Sequence, residues 1–108
     1  MKAVIIEDEL PAAEALEELI GDVDPGINIV ARLQSVDESV DWFSANPMPE
    51  IVFMDIHLAD GSSFGIFDRV KILCPIIFTT AYDQYALRAF EVNSVDYLLK
   101  PVDKAHLE

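Results

Sequence analysis

The segment Ile51-Val52-Phe53-Met54-Asp55 decides how this sequence folds, because four consecutive apolar residues end abruptly on a carboxylate. An unbroken apolar run of this length is typical of a strand that is buried on both faces, as in a parallel sheet covered by helices. Similar runs recur along the chain, so five strands are predicted. The other four cover residues 3–6, 27–31, 76–79 and 95–99.

Helical periodicity fills the first two intervals between these strands. Apolar residues recur at helical spacing after Pro11, and Gly21 is placed to end this first helix. Ser35 and Glu38 have the spacing of a capping box at the start of a second helix. The pair Asn46-Pro47 is expected to end it, because the residue before a proline disfavours helical geometry.

Two further helices are predicted from shorter patterns. Ile66, Val70 and Leu73 form an apolar stripe after the Asp60-Gly61 turn, and Asp83 is a candidate N-cap for a fourth helix. Regular alternation of strand and helix implies right-handed crossovers and a doubly wound α/β sheet. The simplest arrangement is the flavodoxin-like order 2-1-3-4-5, with all five strands parallel.

Length and composition suit one domain. The chain has 108 residues, of which 52% are hydrophobic, enough for one core and too few for a second domain. Few residues follow Pro101, so we expect residues 1–108 to be a fragment that lacks most of a fifth helix. The single cysteine, Cys74, is predicted to be a small buried apolar residue.

Charge and targeting signals restrict the partners. Twenty acidic residues against seven basic ones give a net charge of −13, which opposes direct binding to nucleic acid or to an anionic membrane surface. No basic segment followed by an apolar stretch opens the chain, and no apolar run approaches the roughly 18 residues that cross a bilayer. A cytoplasmic location without membrane insertion is expected.

Polar residues follow the predicted strands and define a candidate site. Glu7 and Asp8 follow the first strand and Asp55 ends the third, while Thr80 and Lys100 follow the fourth and fifth. Ligands of such sheets bind beyond the carboxyl ends of the strands, where strand order reverses. Crowded carboxylates repel one another unless a hard cation such as Mg²⁺ neutralises them. Any one of these acids could be an ordinary turn residue, but together they predict a site for a divalent cation and a phosphoryl group.

Four motifs carry a resemblance to a known family. They are Ile5-Ile6-Glu7-Asp8-Glu9, Met54-Asp55-Ile56-His57-Leu58 with Asp60-Gly61, Thr79-Thr80-Ala81, and Asp96-Tyr97-Leu98-Leu99-Lys100-Pro101. With them the chain resembles the CheY-like receiver domain of bacterial response regulators over its whole length, except for the last helix. The stretch from residue 80 to 101 is most similar to receivers of the LytTR (LytR/AlgR-type) subclass, which usually precede a DNA-binding LytTR domain.

The resemblance implies a role for each acidic residue. Asp55 would accept a phosphoryl group from a phosphohistidine of a sensor histidine kinase. Asp8 and Asp55 would bind Mg²⁺ directly, Glu7 would reach it through water, and the backbone carbonyl of His57 would complete the protein ligands. The His57 imidazole is not expected to be a ligand. The protein would not be an enzyme beyond its own phosphorylation and dephosphorylation.

The resemblance also implies a switch. Thr80 would hydrogen-bond the phosphoryl group, Lys100 would pair with it, and Tyr97 would turn into the space that Thr80 vacates. Alternatively, Tyr97 simply packs under the fourth helix. The responding surface would be the fourth helix, fifth strand and fifth helix, through which a homodimer is expected. In a parent protein this surface would control a LytTR output domain.

Two rival functions use the same residues. An Mg²⁺-dependent phosphatase of the haloacid dehalogenase type also has a nucleophilic aspartate after a strand, but it needs a second acid where this sequence has His57. A degenerate receiver would act as an interaction module without phosphorylation. The presence of Asp8, Asp55, Thr80 and Lys100 together disfavours that reading.

Overall fold

A computed structural model of the chain describes residues 1–79, the backbone of residue 80, and the backbone of residues 94–99. The strands are β1 (Lys2–Ile6), β2 (Asn28–Leu33), β3 (Ile51–Asp55), β4 (His57–Leu58), β5 (Gly61–Ser62), β6 (Ile76–Thr80) and β7 (Ser94–Leu99). The helices are α1 (Leu10–Val23), α2 (Val36–Ala45) and a 3-10 helix (Ser63–Asp68).

Five strands form one parallel sheet in the order β2-β1-β3-β6-β7. This confirms the predicted order 2-1-3-4-5, with β6 and β7 as the fourth and fifth strands of the sequence pattern. The remaining pair, β4 and β5, forms a small antiparallel hairpin directly after β3. The hairpin was not predicted. It lies at the carboxyl edge of the sheet, where the candidate site was expected.

Apolar side chains cover both faces of the sheet and form two cores. The α1-side core lies between the sheet and α1, and its buried members are Ala3, Ile5, Ala13, Leu16, Ile20 and Phe53. The α2-side core lies between the sheet, α2 and the 3-10 helix, and it includes Val4, Ile6, Val52, Met54, Ile66 and Phe78. Adjacent residues of β1 and β3 therefore alternate between the two cores, which explains why these strands read as unbroken apolar runs.

The edge strand β2 carries one extra residue. Ala3 pairs with Ile29 and Val4 pairs with Ala31, so Val30 is inserted between two paired positions as in a β-bulge. Because of this insertion Ile29 packs against the α1-side core while Ala31 packs against the α2-side core. Arg32 then faces α1, where its Nε lies 3.3 Å from a carboxylate oxygen of Glu17.

Two helix predictions are wrong in part. The first helix does not end at Gly21 but continues to Val23, with Asp24 as its C-cap. The stripe of Ile66, Val70 and Leu73 does not form an α-helix: the chain there makes a 3-10 helix that ends at Asp68. Leu73 is 64% exposed because it lies beyond this helix.

Other predictions of local structure are confirmed. Ser35 caps α2 by accepting a hydrogen bond from the backbone N–H of Glu38 at 3.0 Å, and α2 ends at Ala45, before Asn46. Cys74 is buried, and this burial raises the pKa of its thiol. The predicted fourth helix lies outside the described residues. Among the described residues, no helix is long and apolar enough to span a membrane.

Candidate functional site

The pairing of β1 with β3 brings the first acidic residues together. Ile6 is the register partner of Met54 in this parallel ladder. Glu7 directly follows β1 and Asp55 is the last residue of β3, so the two lie side by side at the carboxyl edge of the sheet. Both strands are central, with a neighbouring strand on each side. The positions of Glu7 and Asp55 are therefore fixed by the most buried part of the sheet.

Three carboxylates converge at this edge, as the sequence predicted. One oxygen from each of Glu7, Asp8 and Asp55 can be chosen so that all three lie within 4.8 Å of one another. Glu7 is only 4% exposed and Asp55 only 6%, whereas Asp8 is half-buried. Two members of the cluster are thus buried, and the third is partly exposed to solvent.

Backbone hydrogen bonds hold Glu7 in place. Its own N–H donates to the carbonyl oxygen of Leu33 on β2 at 2.8 Å. One of its carboxylate oxygens accepts a hydrogen bond from the N–H of Glu9 at 3.3 Å. Glu9 is the N-cap residue of α1, so the start of this helix and the position of Glu7 are linked.

The donor set suits a hard divalent cation. Buried carboxylate oxygens without sulfur or imidazole ligands are typical of Mg²⁺ sites, which need one or two carboxylates and keep several waters. The upper bound of 4.8 Å is close to the separation of about 4.2 Å between opposite oxygen ligands of one Mg²⁺ ion. Asp8 is the more exposed member of the cluster, so water can reach the site at its side. Glu7, Asp8 and Asp55 therefore fit the metal that the sequence pattern indicated.

The β4–β5 hairpin follows Asp55 without a loop. His57 pairs with Ser62 and Leu58 with Gly61, and the N–H of Ser63 closes the base by donating to the carbonyl oxygen of Ile56 at 2.7 Å. Gly61 has a φ of +135°, a conformation that side chains rarely allow. The hairpin begins two residues after Asp55, so the His57 backbone follows the carboxylate cluster closely along the chain, while the His57 side chain is exposed.

Asp60 has a role that the sequence reading missed. It occupies the tip of the hairpin, and its carboxylate accepts hydrogen bonds from the N–H groups of Val36 at 2.8 Å and Asp37 at 3.2 Å. The Val36 bond is the main cause that lowers the pKa of Asp60 below its ordinary value of 3.8. The sequence marked Asp60 only as a turn residue, because nothing local shows that it meets a helix 24 residues earlier.

For the predicted site residues after β3, the structure describes the backbone of Thr80 and Tyr97. Thr80 is the last residue of β6 and pairs with Leu99 of β7. Lys100, the next residue after Leu99, lies outside the described residues. Tyr97 is paired with Phe78 in the backbone ladder of β6 and β7. Because β3, β6 and β7 are parallel, the carboxyl ends of β6 and β7 lie at the same edge of the sheet as Asp55.

The family of the chain follows from its sequence match. Residues 3–108 match the model of the response regulator receiver domain. The chain therefore belongs to the family of response regulator receiver domains. Receiver domains of this family are parts of response regulators.

Curated relatives place the chain near one group of these regulators. The sensory transduction protein LytT of Enterococcus faecalis is 40% identical over 107 residues, which are 96% of this chain and 43% of that protein. The transcriptional regulatory protein LytR of Staphylococcus aureus strain N315 is 35% identical over 111 residues, or 100% of this chain and 44% of that protein. The chain thus spans less than half the length of these relatives.

Solved structures agree with the fold. The response regulatory domain of the protein mrkE from Klebsiella pneumoniae has a TM-score of 0.84 and 28% identity, over 99% of this chain and 88% of that chain. A two-component response regulator from Clostridium difficile has a TM-score of 0.78 and 26% identity, over 99% of this chain and 88% of that chain. Both similarities extend over almost the whole sequence.

Proposed function

We propose that this chain is a phosphorylation switch in which Asp55 accepts a phosphoryl group from a phosphohistidine of a sensor histidine kinase. The observation that carries this proposal is the convergence of Glu7, Asp8 and Asp55 at the carboxyl edge of the sheet. Three ionised carboxylates this close together repel one another, and two of them are buried. A site built for function explains why that repulsion is tolerated.

The acidic cluster would hold Mg²⁺. Asp8 and Asp55 would be direct ligands, Glu7 would contribute through water, and the backbone carbonyl of His57 would complete the protein ligands. The bound ion would supply charge neutralisation for the phosphoryl group during transfer. Asp8 is the half-buried member of the cluster, so an ion could enter past its side.

Asp55 itself would act as the nucleophile. One carboxylate oxygen would form a bond to phosphorus while the bond from phosphorus to the histidine nitrogen breaks, and the nitrogen would keep that electron pair. The rigid end of β3 orients this oxygen, because Met54 and Ile56 on either side are fully buried. Positioning of this kind is the main contribution of a protein to phosphoryl transfer.

Residues at the ends of β6 and β7 would sense the product. Thr80 would donate a hydrogen bond to the phosphoryl group, Lys100 would pair with its charge, and Tyr97 would couple the movement of Thr80 to the surface. Phosphorylation adds roughly −1.5 to −2 charge and three acceptor oxygens at Asp55. Thr80 ends β6, and Lys100 follows β7 in the sequence, so the two would supply the donors that this group requires.

The regulatory output belongs to a longer protein. The names of LytT and LytR support a parent in which residues 1–108 form the receiver and a LytTR domain binds DNA. In that parent, phosphorylation would act through a homodimer formed by the fourth helix, β7 and the fifth helix. The receiver itself would not bind DNA, because its net charge is −13.

Intact-mass spectrometry with a small phosphodonor tests the proposal. In Mg²⁺ and acetyl phosphate, the wild-type chain should gain the mass of one phosphoryl group, and Asp55→Asn should gain none. EDTA should abolish the gain. A chain that gains no mass under any condition would be a degenerate receiver, and steady release of phosphate without a stable adduct would indicate a phosphatase; either result would overturn the proposal.

A further inference from the structure

The geometry points to Asp60 as a positioning residue of the metal and phosphoryl site. By binding the first turn of α2, its carboxylate holds the β4–β5 hairpin, and with it the backbone of His57, against the acidic cluster. This inference rests on the proposed function, since it concerns the protein ligand that the hairpin would supply. Asp60 itself would touch neither the metal nor the phosphoryl group.

Both oxygens of Asp60 are engaged by backbone donors. Oδ1 accepts from the N–H of Val36 at 2.8 Å, and Oδ2 accepts from the N–H of Asp37 at 3.2 Å. The first N–H groups of a helix have no partner within the helix, and its N-terminus favours negative charge. A carboxylate is therefore suited to this position. The contact joins two segments that are 24 residues apart in sequence.

The hairpin needs such an anchor because its own ladder is short. Only two residue pairs form it, His57 with Ser62 and Leu58 with Gly61. An isolated ladder of this size has little stability in water. Its base is fixed by the bond from Ser63 to Ile56, and its tip is fixed by Asp60. His57 lies between these two points.

Helix α2 provides a firm surface for this anchor. Val36 is buried in the α2-side core, and Ser35 caps the helix independently through Glu38. The carboxylate of Asp37 also accepts a hydrogen bond from Arg69 at 2.5 Å, which ties the helix to the residue that follows the 3-10 helix. The donors to Asp60 therefore belong to a part of the molecule that is held from several sides.

Calorimetric titration with Mg²⁺ measures the effect on the site. Asp60→Ala removes both acceptors and should weaken Mg²⁺ binding about tenfold, the size typical of residues that orient metal ligands. Asp60→Asn keeps an amide oxygen for the Val36 N–H and should recover most of the affinity. Such recovery would show that the acceptor and not the negative charge is what matters. Urea denaturation of each variant confirms that the titrated protein is folded.

Two controls separate positioning from general effects. Ser35→Ala removes the other side-chain cap of α2 and should leave Mg²⁺ affinity unchanged. Asp37→Asn removes a nearby negative charge that pairs with Arg69 but keeps the backbone N–H that donates to Asp60, so it should also leave Mg²⁺ affinity nearly unchanged. If Asp60→Ala binds Mg²⁺ as tightly as wild type or as Ser35→Ala, the inference is wrong. If Asp60→Asn is as weak as Asp60→Ala, the hydrogen bond that remains to the Val36 N–H does not hold the hairpin in place, and the inference is again wrong. A wild-type chain that binds no Mg²⁺ would instead overturn the proposed function.

Discussion

The N–H of Ser63 donates a 2.7 Å hydrogen bond to the carbonyl oxygen of Ile56, while the hydroxyl of Ser63 is buried and has no partner among the described residues. The backbone of Ser63 thus closes the hairpin base, but its side chain adds no bond there. A buried hydroxyl that makes no hydrogen bond loses its hydration without compensation. The side chain and the backbone of the same residue have opposite effects on stability.

Ser63→Ala is therefore expected to leave the free energy of unfolding unchanged or to raise it by up to about 1 kcal/mol. Ser39 is the matched control, because it is equally buried and its hydroxyl donates to the carbonyl oxygen of Ser35 at 2.7 Å. Ser39→Ala should lower the free energy of unfolding by about 1 kcal/mol. Urea denaturation measures both. A larger loss for Ser63→Ala than for Ser39→Ala would contradict the expectation.

Alanine substitutions at two glycines should have opposite signs. Gly21 lies inside α1 with nothing within 4 Å of an added Cβ, so Gly21→Ala should stabilise the domain by about 1 kcal/mol through helix propensity. Gly61 also has free space, but its φ is +135°, and Gly61→Ala should destabilise by about 1–3 kcal/mol through backbone strain. Thermal unfolding of the two variants tests this. Equal shifts in the same direction would show that backbone conformation is not the cause.

Neutralising Asp8 should increase stability when no divalent ion is present. Its carboxylate lies in a cluster whose oxygens are within 4.8 Å, and two unit charges about 4 Å apart repel by about 1 kcal/mol in water. In EDTA, Asp8→Asn should therefore unfold at higher urea than wild type. Added Mg²⁺ should stabilise wild type and not the variant.

Glu18→Gln provides the matched control for Asp8→Asn, since Glu18 is an exposed acid in α1. This control variant should keep the full response to Mg²⁺ and gain little stability in EDTA. If Glu18→Gln stabilises the chain as much as Asp8→Asn does, the effect reflects the net charge of −13 and not the cluster.

The bonds from α2 to Asp60 should make stability depend on pH. The folded-state pKa of Asp60 lies below its ordinary value of 3.8. The ionised carboxylate therefore contributes fully to the free energy of unfolding above pH 3.8, and this contribution is lost as the pH falls through the folded-state pKa. The difference in unfolding free energy between wild type and Asp60→Asn should therefore be constant near neutral pH and shrink below 3.8. Urea denaturation over that range measures it. A difference that grows on acidification would contradict the assigned role.

The sequence predicted the sheet and the acidic cluster because both depend on apolar runs and their ends. Ile6 and Met54 are buried residues of neighbouring parallel strands and pair with each other. The residues that follow them, Glu7 and Asp55, are therefore brought together. The end of α1 was misplaced because glycine weakens a helix without ending it, and Gly21 is overridden by the burial of the neighbouring Ile20. Helix propensity is a weaker signal than packing.

The β4–β5 hairpin and its contacts could not be predicted from the sequence for a different reason. The third apolar stripe had helical spacing, but the hairpin uses residues up to Ser62 and leaves only a short 3-10 helix before the exposed Leu73. The contact from Asp60 to Val36 joins distant segments and follows from tertiary packing. Similarly, nothing in the composition of β2 marks Val30 as an extra residue.

The inserted residue Val30 should affect how the edge strand β2 associates with other molecules. Ile29 and Ala31 are already paired with the consecutive residues Ala3 and Val4, so deleting Val30 should leave a regular strand with every other side chain on its present face. The variant should fold, whereas deleting Val4 from the central strand β1 should prevent folding, because it moves the later residues of β1 to the wrong faces. Bulges also protect exposed sheet edges from pairing with other molecules. The Val30 deletion should therefore associate at lower concentration than wild type in sedimentation velocity, and a deletion variant that fails to fold would show that the inserted residue is needed for the register.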